Sequence, residues 1–442
     1  MSNKLLVISV DAMHTDDLPF ARGLPGFARI LENASVAEIE GVYPSVTYPN
    51  HVAQITGCPP ASSGVFNNQQ FQPHRGAGAE WFWDSRAIKV PTIFAAARDA
   101  GLTTAAVQWP VTAHEQSVDW LVPEIASPWL FDGLEDQYRQ TTNVASLERY
   151  ILPNLHRIDT DRPKGKYLDF ASHLSVEILR RERPDLMFAH LVELDFARHA
   201  KGTYGPHVEE ALRAVDATLC KYLSTLEETG ELDSTNIVIV SDHGHIDTVQ
   251  HTSLNAVFSE RGFLRTHSDG SLIDYDVFCL GAGLSAQLFV DDGITQARRA
   301  DVTTLLTEIE ADPKYRIEKI WTAEEARRVY GLDGPFDFVV ESEPGVAVGT
   351  QWDRPPVLVR GDAHFPPGVG SHGHAPRHGG QPVFIATGPD FHPGLMLGRR
   401  SMLDEAPTFA AVLEVKMPFA EGAAMFDVLK TVGGPDRATL RA

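Results

Sequence analysis

Short, nearly continuous apolar runs, broken by at most one polar residue each, constrain the fold of this chain more than any other feature of its sequence. Three of these runs are Leu5–Val10, Leu186–Val192 and Ile237–Val240. A strand with one solvent-exposed face would alternate apolar and polar residues. Continuous apolar runs therefore predict strands that are covered on both faces, as in parallel sheets. We therefore expect an α/β protein with a mainly parallel central sheet and helices on both faces.

A helical pattern between the last two runs supports this topology. Its apolar stripe steps by four, three and four residues through Val208, Leu212, Val215 and Leu219. Such spacing places apolar side chains on one face of an amphipathic helix. Strand, helix and strand in this order predict a βαβ unit, whose two strands are parallel.

Two stretches depart from the alternation of strands and helices. Residues of about 110–170 have weak periodicity, and residues of about 255–360 mix β-like pieces such as Ser285–Val290 with a helical piece, Ala300–Ala311. Long stretches of this kind within a compact domain are often functional loops or insertions. We expect one catalytic domain over residues 1–442, with these two stretches as inserted cap segments.

Composition and charge exclude several classes of protein. Apolar residues make up 43% of the chain and charged residues 22%, as in ordinary globular proteins, which excludes a disordered chain. The formal net charge of −21 disfavours binding to polymeric nucleic acid or to anionic membranes. A small anionic substrate in a locally cationic site stays compatible with that charge.

The cysteines and the first residues bear on the compartment. Three cysteines, Cys58, Cys220 and Cys279, cannot all pair with one another, and none lies in a CxxC motif. We expect free thiols in a reducing compartment. The first apolar run is too short for a signal peptide, and no run is long enough to span a bilayer. The sequence alone thus predicts a cytoplasmic protein without a membrane partner.

Carboxylates and imidazoles follow the apolar runs. Asp11 follows the first run, Asp195 and His199 follow the second, and Asp242 and His243 follow the third. Ligands of an open α/β sheet bind beyond the carboxyl ends of its strands, so these side chains should meet at one edge. Clustered aspartates repel one another, and divalent cations remove that cost. Asp and His without Cys suit Zn²⁺, with Mn²⁺ or Fe as harder alternatives.

Two further segments offer groups for such a site. Pro366–Gly380 is rich in Pro, Gly and His and places His372 in a flexible loop. Thr47 lies between a strand-like run, Val36–Val42, and a helical pattern, which makes it a candidate N-cap. Helix N-termini bind phosphate, and a hydroxyl there beside a cation could attack phosphorus. On the local sequence alone, simple capping is the preferred interpretation of Thr47.

Each of these candidates also has a plain structural explanation. Asp11 could be a turn residue, Asp195 a helix cap, and His199 or His372 a surface histidine. The Asp242–Gly244 stretch could be a tight turn. These explanations would still have to account for an acidic or hydroxyl residue after every apolar run, and the metal interpretation does so with one cause.

Six motifs in order resemble the alkaline phosphatase superfamily, and most closely its nucleotide pyrophosphatase/phosphodiesterase branch. The stretches are Val-Ile-Ser-Val-Asp11-Ala, Tyr-Pro-Ser-Val-Thr47-Tyr-Pro-Asn-His, Thr56-Gly-Cys-Pro-Pro-Ala-Ser-Ser-Gly64-Val-Phe-Asn-Asn68, Glu-Leu-Asp195-Phe-Ala-Arg-His199, Val-Ser-Asp242-His243-Gly244 and Gly370-Ser-His372-Gly373. The resemblance implies an alkaline-phosphatase-like fold and a hydrolase of phosphate esters. A phosphodiesterase or nucleotide pyrophosphatase acting on a small-molecule phosphoester is the leading hypothesis.

The resemblance also implies a role for each matched residue. One divalent ion would be held by Asp11, Thr47, Asp242 and His243, and a second by Asp195, His199 and His372. Thr47 would be the nucleophile that forms a phospho-threonine intermediate, and Asn68 would donate a hydrogen bond to a phosphate oxygen. Asn67 is a rival to Asn68, and His374 and His378 are rivals to His372.

Other enzymes could use the same metal ligands and the same nucleophile. The chain departs from the branch at Ser63 and over Gly373–Arg377, which leaves substrate choice open. A phosphonoacetate-hydrolase-like enzyme would need additional cations, for which Lys89, Arg75 and Arg86 are candidates. A phosphomonoesterase or a metal-dependent phosphomutase could use the same ligand set, and a non-catalytic binding protein could keep the same fold. The sequence does not indicate an oligomeric state.

Overall fold

The computed structural model describes residues 3–158 and 167–430. Residues 159–166 of the expected insert at 110–170 lie outside the described residues. The strands are β1 (Lys4–Val10), β2 (Ser35–Glu40), β3 (Thr104–Val107), β4 (Trp120–Val122), β5 (Leu186–Leu191), β6 (Thr235–Val240), β7 (Ile246–Asp247), β8 (Gln250–Ser253), β9 (Leu264–Thr266), β10 (Leu272–Tyr275), β11 (Val277–Gly281), β12 (Ser285–Val290), β13 (Ile317–Thr322), β14 (Phe338–Ser342), β15 (Val346–Gly349), β16 (Val357–Val359), β17 (Gly370–Ser371), β18 (Val383–Thr387) and β19 (Arg400–Ser401).

The helices alternate with these strands over most of the chain. They are α1 (Leu18–Ala21), α2 (Pro25–Leu31), α3 (Thr47–Thr56), α4 (Pro60–Ser63), α5 (Ile93–Asp99), α6 (Leu134–Thr141), α7 (Val144–Ser146), α8 (Leu152–Asn154), α9 (Tyr167–Glu182), α10 (Glu193–Lys201), α11 (Pro206–Thr229), α12 (Leu254–Glu260), α13 (Gln296–Ala311), α14 (Ala323–Tyr330) and α15 (Glu405–Val412).

An eight-stranded sheet in the order β19-β2-β18-β6-β1-β5-β3-β4 forms the centre of the molecule. The strand β1 lies between two parallel neighbours, and its Val7 pairs with Phe188 of β5 and with Val238 of β6. Because these three strands are parallel, their carboxyl ends lie at one edge of the sheet. This is the edge that the sequence predicts for the site.

The strand β18 runs antiparallel to both of its neighbours, β6 and β2. The sequence predicts a strand at Pro382–Thr387, but its apolar run carries no signal for direction. An antiparallel strand places its amino end at the edge where the parallel strands end. The segment that precedes β18, with His372, is thereby brought to the same edge as Asp11 and Asp242.

Apolar side chains on the two faces of the sheet enter two separate clusters. On β1, Leu6 and Ile8 pack with α2, α9 and α11, whereas Leu5 and Val7 pack with α3, α5 and α15. Both faces are therefore covered, and the prediction of helices on both faces is confirmed. The run Leu5–Val10 is apolar at every position except Ser9 because each of its side chains is buried, whichever face it points to.

The two expected inserts differ in structure. Trp120–Val122, inside 110–170, pairs with β3 and forms an edge strand of the central sheet, so this piece is not an insertion as predicted. Three residues are too few to show a period in the sequence. Within 255–360, β11, β12, β14 and β13 form an antiparallel sheet, against which α12 and α13 pack. Its role as a cap stays a prediction.

The helices carry no membrane-spanning segment within the described ranges. Over residues 3–158 and 167–430, no helix is both long enough and apolar enough to cross a bilayer.

A buried carboxylic acid joins the antiparallel sheet to the segment that precedes β18. Glu341 of β14 is fully buried, and its Oε1 accepts a hydrogen bond of 2.8 Å from the backbone N–H of Ala375. Burial is the main reason why the pKa of Glu341 is raised to about 7. The folded protein thus holds this proton more tightly than the unfolded chain does, and stability is lost as pH rises from about 4.5 to about 7.

We predict that Glu341→Gln, which keeps an acceptor oxygen but cannot ionise, raises the free energy of unfolding at pH 8 by about 1–3 kcal/mol. At pH 5, where Glu341 is mostly neutral, the variant and the parent should differ little. Urea unfolding at both pH values measures this. Glu343→Gln, at a half-exposed carboxylate two residues away, is the control and should show no such difference. Equal stability of the Glu341→Gln variant and the parent at pH 8 would contradict the prediction.

Candidate metal centre

The first group of possible metal ligands comes from the ends of β1 and β6. Asp11 follows β1 directly, and Asp242 and His243 follow β6. The Nε2 atom of His243 lies 3.0 Å from Oδ2 of Asp242 and 3.5 Å from Oδ1 of Asp11. All three side chains are buried, and their ligand atoms lie within 4.8 Å of one another.

Thr47 belongs to this group rather than to the helix cap. The helix α3 begins at Thr47 with Val46 as its N-cap, and the cap has no side-chain hydrogen bond. The prediction that Thr47 caps the helix is therefore wrong by one position, because a capping oxygen has to precede the first helical residue. Instead, Oγ1 of Thr47 lies 3.2 Å from Nε2 of His243.

Asn68 performs the capping that the sequence suggested for Thr47. Its Oδ1 accepts a hydrogen bond of 2.8 Å from the backbone N–H of Tyr48, one of the N–H groups at the start of α3 that have no partner within the helix. The amide Nδ2 of Asn68 donates to no described residue. Its neighbour Asn67 is buried and donates to the carbonyl of Gly281 and to Gln287. Asn68 thus has a free amide donor beside Thr47, and Asn67 does not.

The second group converges on one carboxylate oxygen. Asp195 and His199 lie one turn apart on α10, and the Nε2 atom of His199 is 3.3 Å from Oδ1 of Asp195. The Nε2 atoms of His245 and His372 lie 3.4 Å and 3.8 Å from the same oxygen. Four possible ligand atoms from three separate segments therefore lie within 4.8 Å of one another.

Sequence reasoning missed His245. The sequence feature that could have identified it is the second histidine in Ser241-Asp242-His243-Gly244-His245. The intervening Gly244 allows the close approach of another segment, because a Cβ atom there would lie 1.8 Å from the carbonyl oxygen of Gly380. The turn after β6 therefore supplies imidazoles to both groups.

Of the three candidate histidines in the segment before β18, only His372 approaches Asp195. The Nδ1 atom of His374 lies 3.0 Å from the carbonyl oxygen of Ala375, and Nε2 of His378 lies 3.1 Å from Glu318. Gly373, with φ of +97°, permits the turn after His372, and a Cβ atom there would lie 1.6 Å from the carbonyl oxygen of Ala282.

Backbone carbonyls fix the orientation of two imidazoles in the second group. The Nδ1 atom of His199 lies 2.9 Å from the carbonyl oxygen of Gly370, and that of His372 lies 3.2 Å from the carbonyl oxygen of Ser45. A carbonyl only accepts, so each Nδ1 donates its proton and each Nε2 turns a lone pair toward Asp195.

Outer contacts orient the first group in the same way. His190 places Nε2 2.9 Å from Oδ2 of Asp11, and the backbone N–H of Ala12 donates to Oδ1 of Asp242. These contacts leave the other oxygen of each carboxylate pointing at the cluster. Oδ1 of Asp11 and Oδ2 of Asp242 are buried and have no hydrogen-bond partner among the described residues.

The electrostatics of the two groups favour a bound cation. Burial, followed by the charge of Asp195, raises the pKa of Asp11 to about 7, and burial and Asp11 raise the pKa of Asp242. Burial and the neighbouring imidazole of His199 lower the pKa of His372 to about 3. Neutral imidazoles are ready to donate lone pairs, and a divalent cation would offset the cost of the buried carboxylates. The donors present therefore fit metal ions.

Comparison with known proteins gives a family match and several relatives. The family model described as type I phosphodiesterase / nucleotide pyrophosphatase matches residues 5–379. Ectonucleotide pyrophosphatase/phosphodiesterase family member 1 of Mus musculus is 24% identical over 245 residues, which is 54% of this chain and 24% of that protein. A pyrophosphatase/phosphodiesterase of Schizosaccharomyces pombe is 25% identical over 257 residues, 55% of this chain and 45% of that protein. The matched part of this chain thus spans less than half the length of these relatives.

Solved structures share the fold. Murine ectonucleotide pyrophosphatase / phosphodiesterase 5 superposes with a TM-score of 0.67 at 17% identity, covering 97% of this chain and all of that chain. An inactive variant of that protein, with alanine in place of a threonine, is known in complex with AMP and matches equally well. The likeness confirms the alkaline-phosphatase-like fold that the sequence predicts.

Proposed function

The chain belongs to the type I phosphodiesterase / nucleotide pyrophosphatase family, and we propose that it is a metal-dependent hydrolase that cleaves phosphodiesters through a phospho-threonine intermediate. The observation that carries the proposal is the position of the Thr47 hydroxyl. It lies at the start of α3, faces His243 of the first ligand group, and is not used for capping.

The two ligand groups support the division of metal ligands that the family resemblance implies. Asp11, Asp242 and His243 would hold one ion together with Thr47, and Asp195, His199 and His372 would hold the other. Two divalent cations, with Zn²⁺ as first choice and Mn²⁺ or Fe as alternatives, would lower the pKa of the Thr47 hydroxyl and offset charge on the leaving oxygen. Three carboxylates against two such ions leave a net charge of about +1, which attracts a phosphoester anion.

The residues of the chain then act in two displacements. Oγ1 of Thr47 loses its proton to solvent and attacks phosphorus, the bond from phosphorus to the leaving oxygen breaks, and that oxygen takes up a proton as the alcohol departs. Water next attacks the phospho-threonine, and Oγ1 leaves phosphorus and is reprotonated. The backbone N–H of Thr47, the first residue of α3, has no partner among the described residues and would stabilise a phosphate oxygen.

Asn68 would hold the substrate through its free amide. Because Oδ1 is fixed on the N–H of Tyr48, Nδ2 is the atom left for a non-bridging phosphate oxygen. A donor that is already oriented costs little reorganisation when charge builds up on that oxygen.

A cavity of about 540 Å³ is lined by Gln69, the residue that follows Asn68 in the sequence. Backbone pairing of Asn68 with Phe82 and of Gln70 with Glu80 closes a hairpin, whose loop lines the cavity with Phe71. Phe278 of β11 and Trp352 line it as well. A cavity of this size and apolar character can hold an organic ester group.

The charge of this cavity indicates what kind of group it accepts. None of the described residues that line it is Lys or Arg, and Asp269 and Asp353 are among them. A further phosphate or carboxylate of the substrate would find no counterion there. We infer that the cavity receives an uncharged, partly apolar group of a diester, such as an aromatic ring. The AMP bound by the murine relative is a molecule with such a ring.

The rival functions fit these observations less well. A phosphonate hydrolase would need a free cationic side chain, but Arg75 pairs with Glu80, and Arg86 pairs with Asp84. Lys89, whose stem packs against Gly64, forms no ion pair among the described residues and stays the one candidate cation for this rival. A phosphomonoesterase or phosphomutase does not require an apolar cavity for a second ester group. The diester is therefore the substrate that we propose.

Partners and location are part of the same proposal. We expect a small-molecule phosphoester, and neither a polymeric nucleic acid nor a membrane, because the chain carries a net charge of −21. The proposed cytoplasmic location is supported by three cysteines, Cys58, Cys220 and Cys279, that are all free thiols in the structure.

We predict that Thr47→Ala lowers the kcat for a nitrophenyl phosphodiester by more than about 1,000-fold, because the nucleophile is removed. Metal content should change little, since the Asp and His ligands remain. Thr47→Ser, which keeps a hydroxyl, should recover part of the activity. Steady-state rates and elemental analysis of the same samples measure both effects. A Thr47→Ala variant within tenfold of the parent would show that Thr47 is not the nucleophile.

The cavity generates a prediction on substrate size. Trp352→Ala should raise KM about tenfold for a nitrophenyl diester with a naphthyl group, because an aromatic contact is lost. For the matching methyl ester, KM should hardly change. Phe419→Ala, at an exposed aromatic side chain that does not line the cavity, is the matched control. If Trp352→Ala changed the KM of both esters equally, the naphthyl group would not bind in this cavity.

A further inference from the structure

His245 occupies a position that the proposed function does not use. It lies two residues after His243 and is 1% exposed. Its ring stands at 4.7 Å from the ring of His199 and 5.0 Å from that of His372, measured between centroids. The imidazole is therefore surrounded by the two histidines of the second ligand group.

The distances around Asp195 do not distinguish His245 from the other two imidazoles. Four donors placed tetrahedrally at 2.0–2.1 Å from a zinc ion would lie about 3.3–3.4 Å from one another. The three Nε2 atoms lie 3.3 Å, 3.4 Å and 3.8 Å from Oδ1 of Asp195, for His199, His245 and His372 in that order. His245 thus fits the spacing of a ligand better than His372 does.

The hydrogen bonding of His245 points in the same direction. Neither ring nitrogen has a hydrogen-bond partner among the described residues, although both are buried. The backbone N–H of His245 donates to Nε2 of His14 over 2.9 Å, which fixes the main chain at this point. A buried imidazole without partners is costly, and a metal bond is a way to satisfy one of its nitrogens.

A purely supporting role for His245 fits the geometry less well. An outer histidine would donate an N–H to the carboxylate oxygen that does not bind the ion, as His190 does to Oδ2 of Asp11. The Nε2 atom of His245 instead faces Oδ1 of Asp195, the oxygen on which His199 and His372 also converge. At 3.4 Å, this contact is longer than a normal hydrogen bond.

We propose that His245 is a fourth protein ligand of the second site, which therefore binds its divalent transition metal through three imidazoles and one carboxylate. The proposal rests on the proposed function only for the presence of an ion at Asp195. Imidazole-rich sets favour Zn²⁺, Fe²⁺ or Co²⁺ over Mg²⁺ or Ca²⁺.

A four-ligand set makes the two sites unequal. The first group offers two carboxylates, one imidazole and the Thr47 hydroxyl, which the reaction itself uses. The second group would hold its ion with four protein atoms and could still accept an oxygen of the substrate as a fifth ligand. A chelator should therefore remove the ion at Asp11 and Asp242 first and the ion at Asp195 much later.

The test compares the parent protein with His245→Gln, which has a similar volume, and with His251→Gln as the control. His251 is a half-buried histidine on β8 outside both ligand groups. Each protein is loaded with Zn²⁺, and the release of both ions into a chelator is followed over time. We expect His245→Gln to release the slower ion roughly 100-fold faster. The parent and His251→Gln should release their ions alike.

A second measurement reports the coordination directly. The visible absorption of each protein loaded with Co²⁺ reports the coordination number around the ions. We expect the bands of the ion at Asp195 to differ between the parent and His245→Gln, which lacks one imidazole there. Far-ultraviolet circular dichroism on the same samples shows that the variant is folded.

The outcomes separate this proposal from the proposed function. If His245→Gln keeps the slow ion and its spectrum, His245 is not a ligand, whatever the activity. If the variant loses that ion but the loaded parent hydrolyses no phosphodiester, the ligand assignment stands and the proposed function fails. If the parent binds no ion, both are wrong.

Discussion

Three buried aspartates at the ends of three strands are the constraint on which the rest of the site depends. Asp11, Asp195 and Asp242 follow β1, β5 and β6, and the parallel pairing of those strands forces their side chains to one edge. Without compensation, burial and mutual repulsion push these carboxyls toward protonation, as the raised pKa of Asp11 shows. Among the surrounding imidazoles, His190 supplies one positive charge, because Asp11 and Glu124 raise its pKa, whereas burial lowers the pKa of His243, His245 and His372. One imidazolium does not balance three carboxylates, so bound cations would stabilise the ionised form and would link folding of this edge to metal binding.

The start of α3 shows how the fold keeps a nucleophile available. A threonine at a helix start would ordinarily use its hydroxyl to satisfy a backbone N–H. In this protein the side chain of Asn68, from another segment, accepts the N–H of Tyr48 instead. The Thr47 oxygen is thereby left to the ligand group of His243, and the amide of Asn68 is oriented by the same contact. This one hydrogen bond therefore leaves the Thr47 hydroxyl free and orients the Asn68 amide for the proposed reaction.

Much of the fold, and the proximity of most candidate site residues, could be predicted from the sequence, for a physical reason. Continuous apolar runs report burial on both faces, and the residues that follow parallel strands must meet at one edge. The direction of β18 and the edge strand β4 could not be predicted, because a short apolar run carries no information about its neighbours. His245 was missed because its membership of the second group depends on how the turn after β6 packs against α10 and His372. The choice of Asn68 over Asn67 likewise depends on tertiary contacts, since the two residues are identical and adjacent.

Anomalous diffraction from crystals of the metal-loaded protein, recorded at the absorption edge of the ion, tests the central claim most directly. The account predicts two peaks in each chain, one among the side chains of Asp11, Thr47, Asp242 and His243 and one among those of Asp195, His199, His245 and His372. No peak at this edge of the sheet, or peaks only at other residues, would contradict it.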